Sequence, residues 1–261
     1  MSNRTKYPPG HHDRMDAPLA AAQRPAPNWS IRWASITAGT ALLLMSALAG
    51  FGKLGALDGL ITEGDPAQTA RNIMASEDLF RLGIASLTVV VALDVVIAWA
   101  LYRVFSPVNR SLSMLAMALR LVYSGVFMVA IAQLVGVIRL LGNDANVAVF
   151  GADQVKAQAM LDITAFNDIW YVSQILFGLH LLLIGYLAYQ SGYIPRLLGV
   201  LLAIAGLGYA TDSLGAVLSH GSWTDISSFT FLGEFLLALW LLIRARRIAT
   251  SSFELDHSQA G

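Results

Sequence analysis

Six stretches of this chain are apolar over about the twenty residues a helix needs to cross a 30 Å hydrocarbon core. They fall near 33–56, 80–102, 112–140, 167–189, 196–218 and 228–246. Leu, Ala, Val, Ile and Gly dominate each, and none alternates apolar with polar as a barrel strand does. In lipid the backbone must satisfy its own hydrogen bonds, so these segments are expected as helices. The spacing predicts an all-α polytopic transmembrane bundle of six helices over 31–248, between tails at 1–30 and 249–261. The first tail carries Pro8, Pro9, Pro18, Pro25 and Pro27 with scattered charges, and reads as disordered. Ser46-Ala47-Leu48-Ala49 faintly resembles a signal-peptidase site, but the polar region before it is long, so the first span is read as uncleaved.

Composition narrows the function classes. Charged residues are 13% and hydrophobic residues 56% of the 261, with a mean hydropathy of +0.60. Soluble domains carry roughly 25% charge, so a soluble globular or disordered chain is excluded. Lys+Arg and Asp+Glu balance at 17 each, which gives no bulk electrostatic reason to expect nucleic acid. With no cysteine there is no disulfide, thiolate nucleophile or iron–sulfur cluster.

Orientation follows from Lys and Arg near the spans. With six spans, one side holds both tails, with Arg4, Lys6, Arg14, Arg24, Arg32, Arg103, Arg110, Arg196, Arg244, Arg246 and Arg247. The other side holds Lys53, Arg71, Arg81, Arg139 and Lys156 among many acids. Both termini are therefore expected in the cytoplasm of a bacterium, with the chain in its plasma membrane. Trp29 and Trp33 suit an inner aromatic belt, Trp170 and Tyr171 an outer one. In the first external loop, Asp65-Pro66-Ala67-Gln68 predicts a capped short helix over 66–77, and 152–164 is read as a second.

Ionisable residues inside a span are costly and face the bundle interior. The candidates are Asp94, Arg120, His180, Asp212 and Glu234. Asp94 and Arg120 each lie roughly 12 Å from the inner ends of spans joined by a short loop, so they can pair, with His180 at a similar depth. Asp212, Glu234, Gln133, Gln174, Arg81 and Arg139 map instead to the outer third, as a second polar cluster. Each cluster has two readings: structural bonding between helices, or a site for a polar substrate, cation or proton relay. Gly199, Gly206 and Ser213 on the fifth span, and Ser35, Gly39, Ser46 and Gly50 on the first, read as packing seams. No catalytic residue, cofactor or metal is assigned. His180 alone lies within a span, and no metal or hydrolase motif occurs.

A distinctive block runs Tyr189-Gln190-Ser191-Gly192-Tyr193-Ile194-Pro195-Arg196, followed by Gly206-Leu207-Gly208-Tyr209 and Asp212-Ser213. With Leu79-Phe80-Arg81-Leu82-Gly83, Pro107-Val108-Asn109-Arg110, Gly233-Glu234-Phe235 and Leu239-Trp240-Leu241-Leu242, it resembles the bacterial membrane family called domain of unknown function 4386. The resemblance covers the first to the sixth span. It implies six membrane helices and no established activity, substrate or cofactor. On its own terms the block reads as a tight turn, with Pro195 in the first turn of the next helix and Arg196 at the headgroups.

Three functions compete, and the sequence favours the first, with transport as the alternative and the enzyme last. A structural or regulatory membrane protein, with a protein partner or a second copy of itself, needs a solid bundle. A small-solute or proton-coupled transporter needs a polar cavity reaching Glu234. An intramembrane enzyme acting on lipid needs a nucleophile or metal in a pocket beside Glu234, Asp212 or His180.

Overall fold

A computed structural model of the chain describes residues 31–219 and 232–244. The described residues are helical throughout, joined by short turns. Helix α1 is Ile31–Gly50 and continues through a π-helical turn, Phe51–Leu57, and a 3-10 turn, Asp58–Leu60. There follow α2 (Pro66–Ala75), α3 (Glu77–Phe105), α4 (Arg110–Leu141), α5 (Asp144–Phe150), α6 (Ala152–Gln190) and α7 (Arg196–Leu218). A last helix, α8, occupies 232–244. Five helical segments are long and apolar enough to cross a membrane: Ile31–Leu60, Glu77–Phe105, Arg110–Leu141, Ala152–Gln190 and Arg196–Leu218. The sixth expected span, 228–246, is described only over α8, and both tails lie outside the described residues.

The helix ends follow local chemistry. Asp65 Oδ1 accepts from the Gln68 amide at 2.8 Å, and Pro66 opens α2, as the sequence there predicts. Asn109 caps α4 through the Leu112 amide at 3.0 Å. Helix α3 begins before the apolar run, because Glu77 and Asp78 favour the positive end of the helix dipole. One expectation is corrected. Residues 152–164 form no separate helix but are the first turns of α6, which runs unbroken for 39 residues. At 1.5 Å per residue that is about 58 Å, far longer than the hydrocarbon core. Val155, Ala159 and Ile163 give this polar-looking stretch a buried stripe at helical spacing, and α2 lies against α6.

The five long helices and α8 close into a ring. Helix α1 packs on α3, α3 on α4, α4 on α6, and α6 on α7. Helix α8 completes it. A Cβ on Gly233 would stand 3.0 Å from the Leu201 carbonyl of α7, and one on Gly39 of α1 would stand 2.8 Å from the Ala238 carbonyl. The α6–α7 seam is the tightest. A Cβ on Gly178 would meet the Gly206 carbonyl at 2.6 Å, and one on Gly185 would meet the Gly199 carbonyl at 2.7 Å. The seam on α7 was legible from Gly199 and Gly206; its complement on α6, Gly178 and Gly185, was not singled out. Of the stripe expected on α1, Ser35 is buried and Gly39 packs tightly, whereas Gly50 has open space beside it.

The turn after α6 ties two hairpins together. Ser191 Oγ accepts from the Ile194 amide at 3.1 Å, and Gly192 takes φ 72°. Tyr193 is then placed to donate its hydroxyl to the Val104 carbonyl at the end of α3, at 2.7 Å. Burial pushes the Tyr193 phenol above its ordinary pKa, so it remains a donor.

The polarity of the bundle is inverted relative to a soluble protein. Leu82, Val122, Leu207 and Ile243 are well exposed, while Arg120, His180 and Asp212 are fully buried. Such an apolar outer surface is stable only against lipid.

Candidate functional site

Inside the ring sits a buried polar network. Arg120, on α4, donates from Nε and Nη2 to Asp94 Oδ1 on α3, at 2.9 and 2.6 Å. Its Nη2 also reaches Met45 Sδ on α1 at 3.4 Å, and its Nη1 lies 3.2 Å from His180 Nε2 on α6. The other imidazole nitrogen, Nδ1, lies 2.8 Å from the Ala116 carbonyl. A guanidinium can only donate and a carbonyl can only accept. His180 is therefore neutral, with its proton on Nδ1 and its Nε2 lone pair toward Arg120. The Arg120 guanidinium also lies 5.2 Å from the centre of the Phe177 ring. Asp94, Arg120 and His180 thus form one satisfied unit across three helices, and the sequence reading brought the same three to one depth.

Beside this unit lies a cavity of about 340 Å³, within the 300–1,000 Å³ range of small-molecule sites. All six ring helices line it, through Met45, Asp94, Tyr123, Gln174, Tyr209 and Glu234 in chain order. Its walls are aromatic. Tyr123 and Phe177 have ring centres 4.9 Å apart, Phe177 and Tyr209 5.1 Å, and Phe127 and Trp170 5.7 Å. At the rim, Lys53 sits in the π-helical turn, pairs with Asp58, and lies 5.6 Å from the centre of the Trp170 ring. Leu54, also on the cavity, is 72% exposed, so the space reaches the surface there.

Two polar groups on the wall differ from the network. Gln174 is 5% exposed and its Oε1 has no hydrogen-bond partner among the described residues. Glu234, on α8, lines the cavity with Tyr209 of α7 and makes no salt bridge among the described residues.

The expected outer cluster disperses. Glu234 and Gln174 turn onto the cavity, facing the space that Asp94 borders. Asp212 is fully buried on α7 but does not line that space. Arg81 is exposed and held by Glu77 of its own helix at 2.6 Å. Arg139 borders a shallow outer groove with Asn146 and Asp162, and Gln133 is half-buried on α4 away from both. Matching depth does not imply matching face: a helix turns 100° per residue, so side chains at one level can point to opposite sides. Trp170, about 30 Å along α6 from its Gln190 end, donates from Nε1 to Tyr123 Oη at 3.2 Å.

The cavity aromatics were not singled out from sequence. Their signal was the spacing of Phe166, Trp170, Gln174 and Phe177 along one face of α6. Among the described residues no group of three His, Asp or Glu could hold a metal ion.

Residues 37–245 match the family described as domain of unknown function, DUF4386. The chain belongs to that family. An uncharacterised protein of Archaeoglobus fulgidus is similar, 34% identical over 166 residues, which is 64% of this chain and 85% of that protein. No solved structure matches. A relative of this DUF4386 chain thus occurs in an archaeon as well.

Proposed function

We propose that this protein is a six-span plasma-membrane protein, both termini cytoplasmic, that takes a small solute into the cavity between its helices, with transport as the activity this site best suits. The observation that carries the reading is the cavity itself, lined by Glu234 and by a Gln174 Oε1 with no partner among the described residues. A structural or regulatory protein has no use for an aromatic-walled cavity that gathers a carboxyl group and an amide from two helices. The satisfied Asp94–Arg120–His180 unit supports a second component of the reading: a fixed floor against which a solute is held. The Lys and Arg distribution supports the orientation, which places the Lys53 rim on the outer side.

The absence of cysteine makes the test direct. A Ser46→Cys variant puts a single thiol on the cavity wall. Membrane-impermeant maleimide added outside intact cells is expected to label it through the Lys53 rim. A thiol at Ser35, buried against the opposite end of α1, is the unlabelled control. Equal protection of both thiols from both sides of the membrane would sink the reading.

A further inference from the structure

We infer that the cavity binds a monovalent organic cation with a compact apolar body, held between the aromatic walls and the Glu234 carboxylate. This rests on the reading of the cavity as a solute site and names the class of solute.

Charge arithmetic comes first. The fixed charges bordering the cavity floor are Asp94, Arg120 and Glu234. Arg120 is committed: two of its nitrogens bind Asp94, and its Nη1 meets His180. At the rim, Lys53 pairs with Asp58. Glu234 is the cavity carboxylate without a salt bridge among the described residues. A carboxyl group facing a low-dielectric space favours an incoming cation, which would hold it ionised.

The walls select the rest. Aromatic faces attract cations within about 6 Å of the ring centre. Two rings of this cavity already do so, since Arg120 lies 5.2 Å from Phe177 and Lys53 lies 5.6 Å from Trp170. Tyr123 and Tyr209 complete an aromatic surround against Phe177. Gln174 Oε1 adds a buried acceptor with no partner among the described residues. Acceptor, carboxylate and ring faces all prefer positive charge. The volume of about 340 Å³ suits an apolar body of roughly one ring and a head group, and disfavours a bare metal ion, for which no ligand cluster exists among the described residues.

The test uses the full chain in lipid nanodiscs with two probes of nearly equal shape. Benzyltrimethylammonium carries a permanent charge; neopentylbenzene replaces its nitrogen by carbon. Calorimetric titration is expected to show the cation binding at least tenfold tighter, with Glu234→Gln erasing that preference. Gln174→Leu removes no bond made among the described residues, so it serves where Glu234→Gln does not fold. It should weaken the cation about fivefold and leave the neutral probe unchanged or tighter. Equal binding of both probes, insensitive to either variant, would overturn the cation assignment and leave the solute cavity standing. Binding of neither probe would overturn both.

Discussion

Two levels of one bundle treat polar groups in opposite ways. At the level of His180, both imidazole nitrogens and the Arg120 fork find partners on three helices. At the level of Gln174, six residues earlier on the same helix, an amide oxygen finds none among the described residues and faces a cavity. The chain thus bonds its polar groups to one another at one level and turns an acceptor onto the cavity at the other. The difference separates what holds the helices together from what is left open to something else.

The sharpest way to break the comparison is to remove the Arg120 charge. Arg120→Met leaves Asp94 ionised and unpaired in the bundle, which is expected to cost about 3–5 kcal/mol. Adding Asp94→Leu should restore most of that loss. Thermal unfolding of both variants in nanodiscs checks this. If Arg120→Met alone melts like the parent, the network is not what fixes the closed level.

Glycine contacts make the second test, because the closed half also depends on backbones meeting. Gly206→Val puts a methyl-bearing carbon against the Gly178 carbonyl, where a Cβ would stand at 2.6 Å. Overpacking of this kind costs about 1–3 kcal/mol. A control at Gly50, where a Cβ meets nothing within 4 Å, should be close to silent on stability. Equal melting of the two variants would mean that α6 and α7 can part without loss.

Tyr193→Phe is a smaller probe of the same half. It deletes the hydroxyl that donates to Val104 at 2.7 Å and leaves a buried carbonyl with one fewer donor. The expected loss is about 0.5–1.5 kcal/mol, read as a lowered unfolding midpoint. No change would place the cohesion of the two hairpins elsewhere.

How much of this was legible beforehand depends on which coordinate the sequence encodes. Depth follows from span ends and a rise of 1.5 Å per residue, so Asp94, Arg120 and His180 could be brought to one level. The five long helices were readable for the same reason, since length and hydropathy run along the chain, and the family through the resemblance carried by the Tyr189–Arg196 block. Azimuth was harder to read. Glu234 and Asp212 share the outer part of the sequence map, yet only Glu234 lines the cavity, because facing depends on how α7 and α8 rotate against their neighbours. The glycine pairs of the α6–α7 seam fix one such rotation, and only the α7 half was recognised. The length of α6 was hidden too, since its first turns are polar enough to pass for a loop helix.

The smallest expected effect is also the most telling. Gln174→Leu removes an amide whose oxygen bonds to nothing among the described residues and replaces it with an apolar group of similar size. In the closed half such a change would strand a partner; here it strands none. Stability is expected to stay within about 0.5 kcal/mol of the parent, or to rise, since an unpaired buried acceptor is lost. A loss above about 2 kcal/mol would mean that Gln174 is bonded in the membrane-embedded protein, and the distinction between the two levels would fall. An unchanged melting temperature is the outcome expected of an acceptor turned to the cavity, and it would leave Gln174 free to serve a ligand that enters there.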